Sequence, residues 1–274
     1  MTAPGRVGVV GGGRMGAGIA HAFLTAGSDV VVIESDPAAV DRAQERIERD
    51  LARSRQAGVD DEGTLVVRPD AAALTGVDLV VEAVPEVAEL KRSVLLMAQE
   101  HAPGAVLATN TSSLSIDGLA APLRRPDRFL GLHFFNPVPA SDLVEIVVGS
   151  ATSDPVVEAG RSWVEALGKT AITVADSPGF ASSRLGVFQA LEAMRMVEEG
   201  VASATDIDTA MTLGYRHAAG PLRTTDLVGL DVRLAIAQHL ARELGPRFEP
   251  PRLLVEKVAA GELGRKTGRG FFDW

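Results

Sequence analysis

Two side chains in this sequence of 274 residues are suited to acid–base chemistry, and each stands beside an apolar run. Glu145 interrupts the run at 143–148, where a buried carboxylate is costly unless another group partners it. His133 follows an apolar strand predicted over 129–132. If neighbouring strands bring the two together at a sheet edge, the imidazole–carboxylate pair could remove a hydroxyl proton while hydride leaves carbon. Spacing alone leaves open the alternative of a satisfied core histidine and a glutamate on the surface of an edge strand.

A glycine motif near the start of the sequence indicates a binding site for the hydride acceptor. The motif G-x-G-x-x-G, formed by Gly11, Gly13 and Gly16, stands between a predicted strand and a predicted helix, as it does in dinucleotide-binding folds. The first glycine permits a tight turn, the second lets a pyrophosphate approach the backbone, and the third lets helix and strand pack closely. We assign these glycines, and Met15 within the motif, to a cofactor site. A merely glycine-rich turn is the alternative.

An acidic residue at the end of the next predicted strand, 30–33, indicates which dinucleotide binds. Glu34 lies 18 residues beyond Gly16, where a carboxylate can accept hydrogen bonds from the ribose hydroxyls. With Asp36 nearby and no arginine before Arg42, the 2′-phosphate of NADP would meet repulsion. The expected cofactor is therefore NAD, and a solvent-exposed acidic loop is the alternative.

The elements that must position these residues alternate between short apolar strands and helical stretches, which predicts a mostly parallel, doubly wound sheet. The predicted strands are 7–10, 30–33, 65–67, 79–81, 106–108, 129–132, 143–148 and 170–174. The segment 176–180 breaks the pattern, and the rest is helical, with a capping-box start at Ser203 and Asp206. We expect a Rossmann-like NAD-binding α/β domain over 1–178, followed by an all-α domain over 179–274.

Composition excludes several classes of protein. The chain has no cysteine, which rules out disulfides, thiolate chemistry, iron–sulfur clusters and cysteine zinc sites. Its 27 Lys and Arg against 36 Asp and Glu give a formal net charge of −9, which argues against nucleic-acid binding. No run approaches the ~20 apolar residues of a membrane span, and the first apolar stretch is too short for a signal peptide. We expect a cytoplasmic protein that binds neither nucleic acid nor membrane.

Six further segments carry a family resemblance. They read NTSSLSI at 110–116, GLHFFNPVP at 131–139, LVE at 143–145, GPL at 220–222, DLVGLD at 226–231 and LGRKTGRGFF at 263–272. Together they resemble the L-3-hydroxyacyl-CoA dehydrogenase family, nearest to the bacterial 3-hydroxybutyryl-CoA dehydrogenases. The similarity runs nearly end to end, and several long motifs in order are far more specific than the glycine motif alone.

This resemblance implies a reaction and its catalytic residues. The reaction is the NAD-dependent interconversion of a 3-hydroxyacyl and a 3-oxoacyl thioester, a step of fatty acid metabolism. In the family, the histidine matching His133 is the general base, and the glutamate matching Glu145 orients it and stabilises its charged form. The residues matching Ser112 and Asn136 contact the reacting oxygen and the nicotinamide end of the cofactor.

The resemblance also implies cofactor contacts that the sequence would not otherwise indicate. The family's adenine-ribose acid falls on Glu34, and its further contacts fall on Glu86, Lys91 and Lys266. Considered by charge and spacing alone, Glu86 and Lys91 would be a charge pair on the exposed face of a helix. Lys266 would be a solvated lysine of the tail, which is the usual situation of such residues.

Three departures from the family pattern concern the substrate. Ser183 replaces an asparagine that contacts the substrate or supports the catalytic pair, so we expect an altered acyl pocket lined by Ser112 and Ser183. Asp142 replaces a cation near the site. A short turn at 57–63, which contains Asp60, Asp61 and Glu62, replaces a longer helical hairpin that helps to hold coenzyme A.

An acidic turn is a poor partner for the phosphates of coenzyme A, and this raises a second hypothesis. The acyl group would then arrive on an acyl carrier protein, as in relatives that oxidise a glyceryl thioester for polyketide biosynthesis, with Arg124, Arg125 and Arg128 as a basic docking patch. A third hypothesis is a non-catalytic NAD-binding redox sensor, which the intact acid–base residues disfavour. The resemblance further implies a homodimer, with the helical domain supplying a wall of the acyl pocket and the dimer interface.

Overall fold

The computed structural model describes residues 2–59 and 63–274, which form two compact units. The first unit ends at Asp176 and the second runs from Ser177 to Trp274. Asp60, Asp61 and Glu62 of the expected acidic turn lie outside the described residues. In the part of the chain that is described, no helix combines the length and the apolar character needed to cross a membrane.

The first unit is built on an eight-stranded sheet with the strand order β3-β2-β1-β4-β5-β6-β7-β8. The strands are β1 (Arg6–Val10), β2 (Asp29–Ile33), β3 (Leu65–Arg68), β4 (Leu79–Glu82), β5 (Val106–Thr109), β6 (Phe129–Phe134), β7 (Leu143–Val148) and β8 (Thr170–Ala175). All neighbours are parallel except β6 and β7. The order reverses between β1 and β4, the point at which such sheets bind their ligands. The predicted Rossmann-like fold is confirmed.

Five helices connect these strands: α1 (Arg14–Thr25), α2 (Pro37–Gln56), α3 (Ala88–His101), α4 (Ile116–Ala120) and α5 (Asp154–Ala166). The start of α2 shows how the local sequence determines where a helix begins. Asp36 Oδ1 accepts a hydrogen bond of 2.9 Å from the N–H of Ala39, and Pro37 occupies the first turn, where its missing N–H costs nothing. Ala43, Ile47 and Leu51 then form the buried face of the helix at helical spacing.

The strand β6 extends two residues beyond the predicted end at 132, so His133 lies inside the strand rather than after it. Pairing with β7 causes the extension, because the antiparallel register continues through His133 with Glu145 to Phe134 with Val144. All six residues of β6 are buried, as expected for an inner strand covered on both faces.

The second unit is helical: α6 (Ser182–Glu198), α7 (Ala204–Thr209), α8 (Pro221–Val228), α9 (Leu230–Leu244) and α10 (Arg252–Ala259). Ser203 caps α7 as predicted, because its Oγ accepts a hydrogen bond of 3.1 Å from the N–H of Asp206. A separate apolar core holds the unit together, and it includes Val187, Leu191, Met194, Leu222, Leu230, Ala237 and Leu240.

A single buried carboxylate attaches the last residues of the chain to α8. Asp226 is 1% exposed, and its Oδ1 accepts a hydrogen bond from the N–H of Phe271 at 2.9 Å. Its Oδ2 accepts two more, from the N–H of Phe272 and from Nε1 of Trp274, each at 2.9 Å. Three donors that converge on one carboxylate make it a structural group, since hydrogen bonds to a buried charged acceptor are stronger than neutral ones.

We expect Asp226→Asn to destabilise the protein by about 2–4 kcal/mol, because an amide turns one acceptor into a donor that faces N–H groups. Urea unfolding followed by circular dichroism measures this. The matched control is Asp231→Asn, whose carboxylate pairs with Lys266 at the surface and is 40% exposed. That change should cost no more than about 1 kcal/mol. Equal effects of the two substitutions would contradict the assignment.

Candidate active site

The glycine loop joins the end of β1 to the start of α1. Gly11 has a φ of +97°, a conformation that side chains rarely adopt. A Cβ at Gly16 would lie 1.7 Å from the carbonyl oxygen of Gly11, so the third glycine is required for packing. A Cβ at Gly13 would meet no described atom within 4 Å. Gly13 thus borders open space at the N-terminus of α1, where a helix favours an anionic group.

Glu34 lies directly against this loop. Its Oε1 accepts a hydrogen bond of 2.7 Å from the N–H of Gly12, and its Oε2 accepts one of 3.2 Å from the N–H of Ser35. The carboxylate and the loop border one cavity of about 730 Å³. The residues present therefore fit a dinucleotide, with open space at Gly13 for phosphates and a carboxylate at the position expected to contact ribose.

Two arginines also line this cavity, and sequence reasoning did not assign them to it. Arg42 and Arg46 stand one residue before Ala43 and Ile47, which lie on the buried face of α2. Arg46 Nη1 donates a hydrogen bond of 2.9 Å to the carbonyl oxygen of Gly12. The position of these arginines beside the buried stripe was a usable signal, because residues at the edge of a stripe face the neighbouring loop.

Lys91 is buried among carboxylates, contrary to the interpretation as an exposed helix-face pair. Its side chain is 1% exposed, and its Nζ lies 2.8 and 3.0 Å from the two oxygens of Glu82. The same Nζ donates to the carbonyl oxygen of Val84 at 3.1 Å and lies 3.2 Å from Oε2 of Glu86. A buried ammonium of this kind is stable only because acceptors surround it.

The spacing along α3 explains why Lys91 is buried. Lys91, Leu95 and Ala98 are all buried, and they recur at the intervals of one helix face. The same periodicity is present in the sequence, where it indicates burial of position 91 although the residue type favours exposure. A direct contact of Lys91 with the cofactor stays a prediction.

Glu86 holds the segment that follows β5. Its Oε1 accepts hydrogen bonds from Oγ1 of Thr111 at 2.5 Å, from the N–H of Ser112 at 2.9 Å and from Oγ of Ser113 at 3.2 Å. Burial alone raises the pKa of Glu86, but the charge of Lys91 and these hydrogen bonds outweigh it and keep the pKa below its usual value. Ser112 is therefore positioned by an ionised carboxylate.

A second contact joins this segment to β6. The side chain of Asn110 accepts a hydrogen bond of 2.9 Å at Oδ1 from the N–H of Phe134, the residue that follows His133. Asn110 begins the NTSSLSI motif, but no role was assigned to it from the sequence. The contact ties the end of β5 to the end of β6, next to the catalytic candidates.

His133 and Glu145 face each other directly across β6 and β7. His133 Nδ1 lies 2.7 Å from Oε2 of Glu145, and the two residues are 6% and 0% exposed. Because a carboxylate can only accept, Nδ1 carries the proton of this bond, and Nε2 is the ring nitrogen suited to accept another. The alternative of a surface glutamate on an edge strand is wrong, because β8 pairs with the other side of β7.

The remaining predicted site residues lie in separate elements of the two units. Asn136 is an exposed residue of the loop after β6, and Met15 lies in the first turn of α1, packed against the core. In the second unit, Ser183 lies in the first turn of α6, while Lys266 Nζ pairs with Oδ1 of Asp231 at 2.5 Å. Their contacts with substrate or cofactor stay predictions.

A dinucleotide-binding sheet and a buried imidazole–carboxylate pair define an NAD-dependent oxidoreductase. The chain belongs to the 3-hydroxyacyl-CoA dehydrogenase family: residues 6–177 match its NAD-binding domain and residues 179–274 its C-terminal domain. The family membership and the NAD cofactor expected from the sequence are confirmed.

Relatives match over nearly the full length of the chain. A 3-hydroxybutyryl-CoA dehydrogenase from Mycobacterium tuberculosis (strain ATCC 25618 / H37Rv) is 41% identical over 280 residues, which cover 98% of each chain. The mitochondrial hydroxyacyl-coenzyme A dehydrogenase of Sus scrofa is 38% identical over 97% of this chain and 90% of its own. The crystal structure of (S)-3-hydroxybutyryl-CoA dehydrogenase PaaH1 from Ralstonia eutropha superposes with a TM-score of 0.92, at 38% identity and 99% coverage of both chains.

Two glycine substitutions separate packing from cofactor binding. We expect Gly16→Ala to lower the melting temperature, because its Cβ would overlap the carbonyl oxygen of Gly11. Gly13→Ala should leave the melting temperature unchanged and weaken NADH binding at least about tenfold, because its methyl group enters the space reserved for phosphates. Thermal unfolding and NADH fluorescence titration measure the two effects. NADH binding by Gly13→Ala as tight as in the unchanged protein would rule out this placement of the cofactor.

Proposed function

We propose that this protein interconverts a short-chain 3-hydroxyacyl-CoA, of the 3-hydroxybutyryl-CoA type, and the corresponding 3-oxoacyl-CoA. The observation that carries the proposal is the 2.7 Å contact between His133 Nδ1 and Glu145 Oε2. It supplies the base such a reaction needs, in a chain about 40% identical to several proteins named 3-hydroxybutyryl-CoA dehydrogenase. A redox sensor has no use for a buried charged pair, so the enzymatic function is favoured.

Each polar residue of the site has a step to perform. His133 Nε2 accepts the proton of the 3-hydroxyl group, and Glu145 stabilises the imidazolium that results. The hydride acceptor would be supplied by bound NAD. Ser112 and Asn136 orient the reacting oxygen, and Glu86 fixes Ser112 through its backbone N–H. In the reducing direction the imidazolium of His133 returns the proton to the 3-oxo oxygen.

Most of the proposed cofactor contacts lie on the first unit. Gly11, Gly13, Met15 and Gly16 would surround the pyrophosphate at the start of α1, and Glu34 would bind the adenosine ribose. Lys91 is proposed as a further cofactor contact; it is buried, and its ammonium pairs with the carboxylates of Glu82 and Glu86. Lys266, which the family resemblance implies as a further cofactor contact, is retained as a proposal.

The carrier of the acyl group is proposed to be coenzyme A rather than an acyl carrier protein. The relatives are named for CoA substrates, and two of the three arginines in the expected basic docking patch already have acidic partners. Arg125 donates two hydrogen bonds to Asp127, at 2.9 and 2.7 Å, and Arg124 lies 3.6 Å from a carboxylate oxygen of Glu100. Arg128 Nη2 donates to the carbonyl oxygen of Gly104 at 2.7 Å.

Two proposals concern the helical unit. As the family resemblance implies, we assign it a wall of the acyl pocket that includes Ser183. It also exposes apolar side chains, among them Leu185 at 69%, Phe188 at 42% and Val232 at 42%. Such side chains support a homodimer that buries them, which stays a prediction.

Replacement of the proposed base tests the mechanism. We expect His133→Asn to lower kcat at least about a thousandfold and Glu145→Gln about a hundredfold, with NADH affinity unchanged in both. The assay is NADH absorbance with acetoacetyl-CoA. The control is His101→Asn at the end of α3, outside the proposed site, which should retain full activity. Undiminished turnover by His133→Asn would refute the proposed function.

Matched substrates decide the carrier. We expect kcat/KM for an acetoacetyl thioester of coenzyme A to exceed that of the same acyl group on an acyl carrier protein by about tenfold or more, because two of the three arginines of the proposed patch are already paired with carboxylates. Steady-state NADH oxidation with both substrates measures the ratio. A preference for the carrier protein would overturn the choice of coenzyme A and leave the acid–base mechanism standing.

A further inference from the structure

The helical unit contains a cavity of about 360 Å³, open to solvent on one side, to which none of the residues assigned above contributes. Its walls come from α6, the loop before α8, the first part of α8 and α9. They are formed by Gly186, Gln189, His217, Ala218, Ala219, Pro221, Thr224 and Arg233. This volume suits a small organic ligand rather than a nucleotide cofactor or a protein segment.

Arg233 is the unusual residue of this cavity. It is only 8% exposed and stands on the apolar face of α9, in helical register with the buried residues Leu230, Ala237 and Leu240. Its Nε is buried without a hydrogen bond, and no carboxylate of the described residues lies within ion-pair distance of its guanidinium. Burial lowers the pKa of Arg233 to about 10, far above neutrality, so the group remains charged.

A buried charge without a partner costs stability, and proteins retain one where a ligand supplies the opposite charge. The described lining of the cavity contains no acidic residue. Its other polar side chains, Gln189, His217 and Thr224, can all donate hydrogen bonds and make none within the described chain. Gly186 has no side chain that could cover the guanidinium of Arg233. A Cβ at this position would already lie 3.6 Å from Nη1 and 4.0 Å from Nη2, so a larger side chain would block access to the group.

We propose that this cavity binds a small carboxylate, whose two oxygens accept paired hydrogen bonds from the guanidinium of Arg233. The planar fork of an arginine matches a carboxylate in this way, and the burial of Arg233 strengthens both bonds. The amide of Gln189 and the hydroxyl of Thr224 supply further donors. Two sources have this chemistry: the far end of a dicarboxylic acyl chain, or a free organic acid.

Binding of succinate to the complete protein tests the site without any use of activity. Thermal unfolding and calorimetric titration are run in succinate and in sodium chloride of equal ionic strength. We expect succinate to raise the melting temperature of the unchanged protein, and Arg233→Met to weaken succinate binding at least about tenfold. Without succinate, Arg233→Met should be as stable as the unchanged protein or more so, because an unpaired buried charge is removed.

Two further variants sharpen this test. Gly186→Leu keeps the charge and fills the space before it, so it too should lose succinate binding. Arg252→Met is the control, because that arginine is 80% exposed, and succinate binding should not change. Equal succinate affinity in Arg233→Met and the unchanged protein, or no binding that exceeds the sodium chloride control, would overturn the proposal.

Kinetics identify the source of the carboxylate, and this step alone rests on the proposed function. Two 3-hydroxyacyl-CoA substrates of equal length are compared, one ending in a carboxylate and one in a methyl group. If the acyl chain is the ligand, Arg233→Met lowers kcat/KM at least about tenfold for the carboxylate substrate only. If a free acid is the ligand, succinate changes the rate on the methyl-ended substrate, and Arg233→Met abolishes that response. An inactive unchanged protein would contradict the proposed function, while the succinate titration would still decide the site.

Discussion

The contact between His133 and Glu145 depends on the one place where the sheet reverses direction. In the antiparallel pair of β6 and β7 the two residues stand directly opposite each other, which brings their Cβ atoms to about 5 Å. A slip of one residue would turn one of the two side chains to the other face of the sheet. A carboxylate that is 0% exposed has no solvent to replace a lost partner, so the register of this pair is under strong energetic constraint.

The loops around this pair are held by a second buried arrangement of charge. Lys91 joins Glu82, at the end of β4, to Glu86, in the loop that follows. Glu86 in turn accepts hydrogen bonds from Thr111 and Ser112 after β5. Removal of Lys91 would leave the fully buried carboxylate of Glu82 without its opposite charge, which is costly. The position of Ser112 therefore depends on a lysine that lies two contacts away.

In both charged arrangements of the first unit each buried ionisable group contacts a polar partner group, and this sets Arg233 apart. Glu145 has His133, and Lys91 has two carboxylates, whereas Arg233 in the second unit has no acidic partner among the described residues. Asp226, a buried carboxylate of the second unit, accepts hydrogen bonds from three donors. The same physical rule that explains the satisfied groups indicates that the exception is completed by a ligand.

Much of the fold follows from local pattern. Parallel strands that are covered on both faces have continuous apolar sequences, so the position of each strand could be predicted. The glycine motif is specific when a strand precedes it and a helix follows. Ends of elements were less predictable. The predicted end of β6 lies two residues before the observed end. Pairing with β7 decides where β6 ends, and β7 is a separate segment of the sequence.

The sequence by itself indicated the class of sheet and the cofactor, because these depend on periodicity and on motifs that local chain geometry requires. The acid–base roles of His133 and Glu145 came from the family resemblance and stay predictions. Only the tertiary structure decided which side chains meet. It placed His133 opposite Glu145, buried Lys91 between carboxylates, and brought Arg42 and Arg46 to the cavity that Glu34 borders. The reason is that the cost of a buried charge depends on neighbours distant in sequence, which spacing along one chain does not reveal.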